Sequence, residues 1–167
     1  MKKIRISLLL LLSLSILATR TIKSIQLYQN CTGYLKRAAY ASTVETAKDE
    51  LQKSIRYLED NELTSGYTSI IWRTPNDDIG FWYKNLKSSE SELVKVDSAT
   101  SSVEKTNLLI KLRETLLDDS KNGNKITTPN GLSRHPYNSL WALLTSISVV
   151  ILMGLIIRVI YYFELQD

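Results

Sequence analysis

The amino-acid sequence predicts an all-α, membrane-anchored protein: a long antiparallel helical hairpin, coiled-coil-like, flanked by an N-terminal and a C-terminal transmembrane helix. Three observations predict it. An apolar run occupies each end of the 167-residue chain. Between the runs, apolar residues recur at spacings of three and four, the period of a one-sided helix. The prolines, which break helices, fall only at 75, 129 and 136, outside both periodic stretches.

Residues 1–23 form the first element. Lys2, Lys3 and Arg5 precede the apolar stretch Ile6 to Ala18, the basic flank and short core of a secretory signal. That stretch is short for a membrane span, but Ile22 and Ile25 lengthen it if Arg20 and Lys23 snorkel. Cleavage after Ala18 would put Ile16 at the minus-three position, where small residues are usual, so an uncleaved signal-anchor is expected.

Residues 24–125 are expected to form the hairpin. From Thr21 to Asn61 there is no proline and one glycine, Gly33, and the stripe Ile25, Tyr28, Thr32, Leu35, Ala39, then Val44, Ala47, Leu51, Ile55, Leu58 reads as one helix about 60 Å long. The stripe slips near Ser42, where Ala38, Ala39 and Ala41 leave room for a neighbouring helix. A second helix, about 48 Å long, is predicted from a capping box at Ser89 and Glu92 to about Asp119, ended by Asn122-Gly123-Asn124. Its stripe is Leu93, Val96, Thr100, Val103, Asn107, Ile110, Leu117, widened by Leu109, Leu112 and Leu116. Two helices bury little, so a second copy completing a four-helix bundle is expected, with Asn107 setting its register.

At the expected membrane-distal turn lie Trp72, Arg73, Phe81, Trp82 and Tyr83. Aromatic side chains with an arginine are the stuff of interface anchors, which makes these five, with Asn107, the expected partner-binding residues. The alternative is that Trp72, Phe81 and Trp82 plug the open end of the hairpin. The adjacent Asp77 and Asp78 suit a turn and a helix start, and no further oxygens identify a cation site.

Residues 126–139 read as a juxtamembrane linker, with Pro129-Asn130-Gly131 for a tight reversal and the only histidine, His135, before Pro136. Residues 140–163 are the second span: an apolar run from Leu140 to Tyr162, long enough to cross a core of roughly 30 Å. Trp141 flanks one end and Tyr161, Tyr162 and Phe163 the other, and Arg158 is near enough to the exit to snorkel. Ala142, Ser146, Val150 and Gly154 recur every four residues and predict a helix-packing face. Residues 164–167 are a short tail.

Charge narrows the partners. The net charge is +4, but of 21 basic residues five lie in the first 23 positions and one, Arg158, in the last span, leaving fifteen against fifteen acidic ones between. A nucleic-acid reading needs a one-sided basic face, which a neutral domain does not offer. The single cysteine, Cys31, precludes an intrachain disulfide and a thiolate zinc cluster, and on an apolar stripe it reads as a small buried hydrophobe. Its sequon, Asn30-Cys31-Thr32, falls within a predicted helix near the bilayer.

No glycine-rich phosphate loop, GxSxG elbow or HExxH pair occurs. The expectation is therefore a non-enzymatic protein with no cofactor, no metal and no evident small-molecule substrate: an accessory or scaffold subunit of a membrane complex, partnered by the bilayer and by itself or other subunits. The alternative expectation is an extracytoplasmic sensory input module working through a partner chain. Basic residues flanking the central loop would favour a cytoplasmic domain. A long loop translocates largely regardless of charge, however, and the start is signal-like, so an extracytoplasmic domain with both termini cytoplasmic is expected.

Overall fold

The computed structural model describes residues 2–69, 72–118, 125–132 and 138–164. They are mostly helical. In chain order they form α1 (Lys2–Leu27), a π turn (Tyr28–Thr32), α2 (Gly33–Ala39), α3 (Val44–Asp60), a single 3-10 turn (Pro75–Asp77), α4 (Ile79–Val94), α5 (Ser102–Leu116), a two-residue antiparallel ribbon of β1 (Leu117–Asp118) and β2 (Lys125–Ile126), and α6 (Asn138–Glu164). The predicted stop at 122–124, the histidine at 135 and the last three residues lie outside the described residues.

The two long arms of the expected hairpin are both broken, and the domain is instead a short bundle of α2, α3, α4 and α5. The first break is at 40–43. Thr43 is extended (φ −131°, ψ 152°) and its hydroxyl accepts from the Thr46 amide at 3.2 Å, so it caps α3 rather than continuing α2. The chain reverses there, and α3 folds back along α2. The small residues noted near Ser42 thus admit a neighbour, but the neighbour is α3 of the same chain: Ala38, Ala39 and Ala47 are all buried.

The second break is at 95–101. Asp97 accepts from the amides of Ala99 and Thr100 and from the Thr100 hydroxyl, at 2.9, 3.0 and 3.0 Å, and the Ser101 hydroxyl accepts from the Glu104 amide to cap α5. Short polar side chains here offer the backbone an alternative to the helix. The second arm also begins earlier than expected. Asp78, not Ser89, is the cap of α4, accepting from the Phe81 amide at 3.0 Å, and Ser89 lies inside the helix.

The end of α3 follows a C-terminal capping rule with an unusual residue. The Leu63 amide bonds back to Leu58 O (2.8 Å) and the Glu62 amide to Glu59 O (3.1 Å), with Glu62 at φ 57° in the left-handed region that glycine usually fills. Leu58 and Leu63, both fully buried, make the hydrophobic contact that goes with this motif.

One apolar core runs through the bundle. Val44, Ala47, Leu51, Ile55 and Leu58 are all buried on α3, as the spacing predicts. Ahead of α2 the face differs from the prediction: Ile25 and Tyr28 are exposed and Leu27 is buried instead, while Cys31 and, on α2, Leu35 are buried as expected. The π turn is the reason, since the Gly33 amide reaches back five residues to Tyr28 O and shifts the buried face. A Cβ on Gly33 would lie 2.8 Å from that carbonyl oxygen, a contact that only glycine avoids. Cys31 is fully buried with its sulfur 3.1 Å from the Ser54 hydroxyl.

On α5 the buried residues are Leu112 and Leu116, while Val103, Asn107 and Ile110, from the predicted stripe, are exposed. Helix α2 is tied to α3 by Glu50, buried between Arg37 (3.0 Å) and Lys53 (2.7 Å).

Two helices, Ile6–Ala39 and Ser139–Arg158, are long and apolar enough to cross a membrane. Over their apolar stretches they pack on each other. Lys23 lies 3.9 Å from the centre of the Trp141 ring, and Ser13 and Ser148 are almost fully buried. Because Lys23 is near the end of α1 and Trp141 near the start of α6, the pair is antiparallel, and both helices leave the same end of the bundle.

Candidate functional site

The expected partner-binding residues of the aromatic segment, Trp72 to Tyr83, lie at one end of the domain, the end from which the two apolar helices leave, whereas Asn107 does not. Thr68 establishes this. Its carbonyl accepts from the Ser139 amide at the start of α6 (3.0 Å), its amide donates to Asp77 O (3.0 Å), and its hydroxyl donates to Asn130 O. The turn before α4 is therefore proximal to the apolar helices, not distal as a straight hairpin would have placed it.

Further bonds close the junction. The Asn130 amide donates to Asn76 O (3.1 Å), the Ile79 amide to Gly66 O (2.9 Å), and the Thr127 amide to Leu116 O (2.9 Å). The predicted Pro-Asn-Gly reversal forms, with the Leu132 amide donating to Pro129 O (3.1 Å) and Gly131 at φ 70°, the left-handed position that favours glycine.

Between the Pro75–Asp77 turn, the start of α4 and the linker lies an open cleft of about 420 Å³. Phe81 and Trp82 form its apolar wall with Pro75, Pro129 and Leu117, and Asn76, Asp78, Asn85, Asp118 and Asn130 supply polar groups. A second depression on the α2–α3 side, about 270 Å³, is lined by Asn30, Tyr34, Lys53, Arg56, Tyr57 and Asp60. Among the described residues no three His, Cys, Asp or Glu side chains come together in a way that would hold a metal ion.

The six residues have different environments. Trp82 is buried and its indole N–H donates to Thr127 O at 2.9 Å, so it belongs to the core and straps the linker to α4. Trp72 and Phe81, by contrast, are exposed, at 63% and 62%. Arg73 lies over the Tyr67 ring, 5.3 Å from its centre. Tyr83 donates to Glu59 Oε1 at 2.6 Å, and burial first, then this bond to a carboxylate, raises its phenol above the ordinary tyrosine range. Asn107 is exposed on α5, away from the junction.

On α6 the predicted face Ala142, Ser146, Val150, Gly154 is not the one that meets α1. These residues are exposed, and a Cβ at Gly154 would meet nothing within 4 Å. The face toward α1 carries Trp141, Leu144, Thr145, Ser148, Ile151 and Leu155, which are buried or half-buried. The small-residue face is left uncovered within the chain.

Sequence reasoning passed over Thr68 and the role of Gly33. Thr68 sits among turn formers, Thr64, Ser65, Gly66 and Ser69, that signal a loop but not what the loop bonds to. Gly33 was visible as the lone glycine of its stretch. Comparison with protein-family models, with curated proteins and with solved structures finds no match to this chain.

Proposed function

We propose that this chain is a non-enzymatic, membrane-anchored interaction protein, an accessory or scaffold subunit of a membrane complex that self-associates. In this reading α1 and α6 both span the bilayer, the bundle is extracytoplasmic, and the outer ends of the two helices are cytoplasmic. Support for the anchor comes from the pairing of two long apolar helices whose outward faces are left to the surroundings. So much exposed apolar surface costs roughly 25 cal/mol for each Å² left in water, and a bilayer removes that cost.

The observation that carries the self-association is the uncovered Ala142, Ser146, Gly154 face of α6, which turns away from α1. Small residues at four-residue spacing let a second helix approach closely within lipid. The exposed Val103, Asn107 and Ile110 of α5 extend the available surface into the domain.

Copurification of the full chain in mild detergent, with crosslinking through a Gly154→Cys variant, tests the proposal. A homo-oligomer or a partner of fixed stoichiometry, crosslinked at position 154, is expected; a monodisperse monomer without crosslinks would overturn it. Labelling of a Val103→Cys variant in intact cells decides the side of the domain, because native Cys31 is fully buried and gives little background.

A second reading, a sensory input module acting through a partner chain, is favoured by the polar cleft beside Trp82, since the linker that forms its wall is bonded to the loop that holds α6. It requires a monomer that binds a small molecule with a protected Trp82 fluorescence, which the same detergent preparation can report.

A further inference from the structure

Trp72, Arg73 and Phe81 are exposed at the end of the bundle where α1 and α6 depart, and neither the core nor the cleft explains all three. We propose that they form an interfacial rim, resting in the headgroup layer of the bilayer that α1 and α6 cross; this rests on the membrane reading above. The distances are short. Ser139, whose amide bonds to Thr68 O at 3.0 Å, precedes Trp141 by two residues, or about 3 Å of helix rise. Trp141, with Lys23 against its ring at 3.9 Å, is the amphipathic belt residue of that helix end.

Trp72 follows Thr68 by four residues, so the two are within about 14 Å even if the chain is fully extended. The headgroup layer is roughly 5–8 Å thick on each side of the hydrocarbon. That bound keeps Trp72 within reach of the headgroup layer beside the spans.

The chemistry also fits lipid. An indole partitions to the headgroup level, its apolar ring inward and its N–H toward water, and a phenyl ring beside it fits the headgroup–acyl boundary. A guanidinium held over the Tyr67 ring remains free to pair with phosphate, which it matches by geometry as well as charge. A protein-binding rim at the same position would have to exclude those headgroups. The rim and the Thr68 bonds together would hold the bundle upright on the bilayer.

Site-directed spin labels read the depth of each position in the full chain reconstituted into vesicles of phosphatidylcholine and phosphatidylglycerol. Trp72→Cys and Phe81→Cys carry the labels, and Ser98→Cys in the 95–101 turn and Val149→Cys on α6, both exposed and outside the proposed self-association face, serve as references for water and hydrocarbon. Expected is a loss of collision with a water-soluble nickel chelate and a gain with oxygen at 72 and 81, relative to 98. Labels at 72 and 81 as open to nickel as 98, while 149 reads lipid, would overturn the rim and spare the membrane anchor. Shielding of 72 and 81 from both reagents would make them a protein contact and equally overturn the rim. An aqueous signal at 149 would instead remove the anchor, and the rim with it.

Discussion

The Thr68 carbonyl accepts a hydrogen bond from the Ser139 amide at 3.0 Å, joining the loop that follows α3 to the first turn of α6. The bond satisfies an N–H group that the start of a helix otherwise leaves without an intrahelical partner. It also sets where the aromatic segment lies relative to the apolar helices. Thr68 is 2% exposed, so its hydroxyl bond to Asn130 O is made away from water. Thr68→Val keeps the shape and removes that bond. A loss of about 1–2 kcal/mol in chemical denaturation is expected, with a faster-exchanging amide at Leu132 as the linker loosens.

Trp82 and Trp72 should separate cleanly. Trp82→Phe removes the indole bond to Thr127 O and leaves that carbonyl without its donor, costing about 1–2 kcal/mol by thermal unfolding in detergent. Trp72→Ala should stay within about 0.5 kcal/mol, as an exposed substitution does. Equal losses at the two positions would mean that Trp72 is part of the core.

Gly33→Ala places a methyl group 2.8 Å from Tyr28 O, and the π turn must shift to admit it. Overpacking of this kind typically costs about 1–3 kcal/mol. Since the turn holds Cys31 against Ser54, the thiol should also react faster with a maleimide in the variant than in the parent chain.

Glu62→Gly is expected to stabilise. Glu62 occupies the left-handed region at φ 57°, where a Cβ meets the following carbonyl at a cost of roughly 1–2 kcal/mol. Glycine removes that strain but adds freedom to the unfolded chain, so a net gain of about 0.5–1 kcal/mol should appear as a higher unfolding midpoint. An unchanged or lower midpoint would show that the Glu62 side chain contributes contacts of its own.

Asp97 links the 95–101 turn to pH. The Thr100 hydroxyl first, then the amides of Ala99 and Thr100, hold its carboxyl below the ordinary aspartate value. The folded chain thus binds the proton less tightly than the unfolded one. Its stabilisation is complete above the unfolded value near pH 3.9 and is lost as pH falls through the lower folded value. Asp97→Asn should be less stable than the parent at neutral pH, with the difference shrinking below about pH 4 in an acid titration of unfolding.

Much of the helical content was legible in the sequence, because a one-sided apolar period and two long apolar runs report burial directly. Val44 through Leu58 on α3, the buried Cys31 and the Pro-Asn-Gly reversal all follow from local residue chemistry. The breaks at Thr43 and Asp97 were written in the same residues but lost against a periodicity that runs through them. A short polar side chain permits a cap without requiring one, and only the packing of α3 on α2 makes the cap the better choice.

The sequence by itself determined that the chain is helical, that each end is apolar, and which face of α3 is buried. The tertiary structure decided that the helical arms fold into a short bundle, that α6 meets α1 through Ser148 rather than Gly154, and that the aromatic segment lies beside the apolar helices. The physical reason is range. Helical period and capping act within a few residues, whereas the bonds of Thr68 to Asn130 and Ser139 join atoms some sixty to seventy positions apart, and no local pattern encodes which distant carbonyl an amide will find.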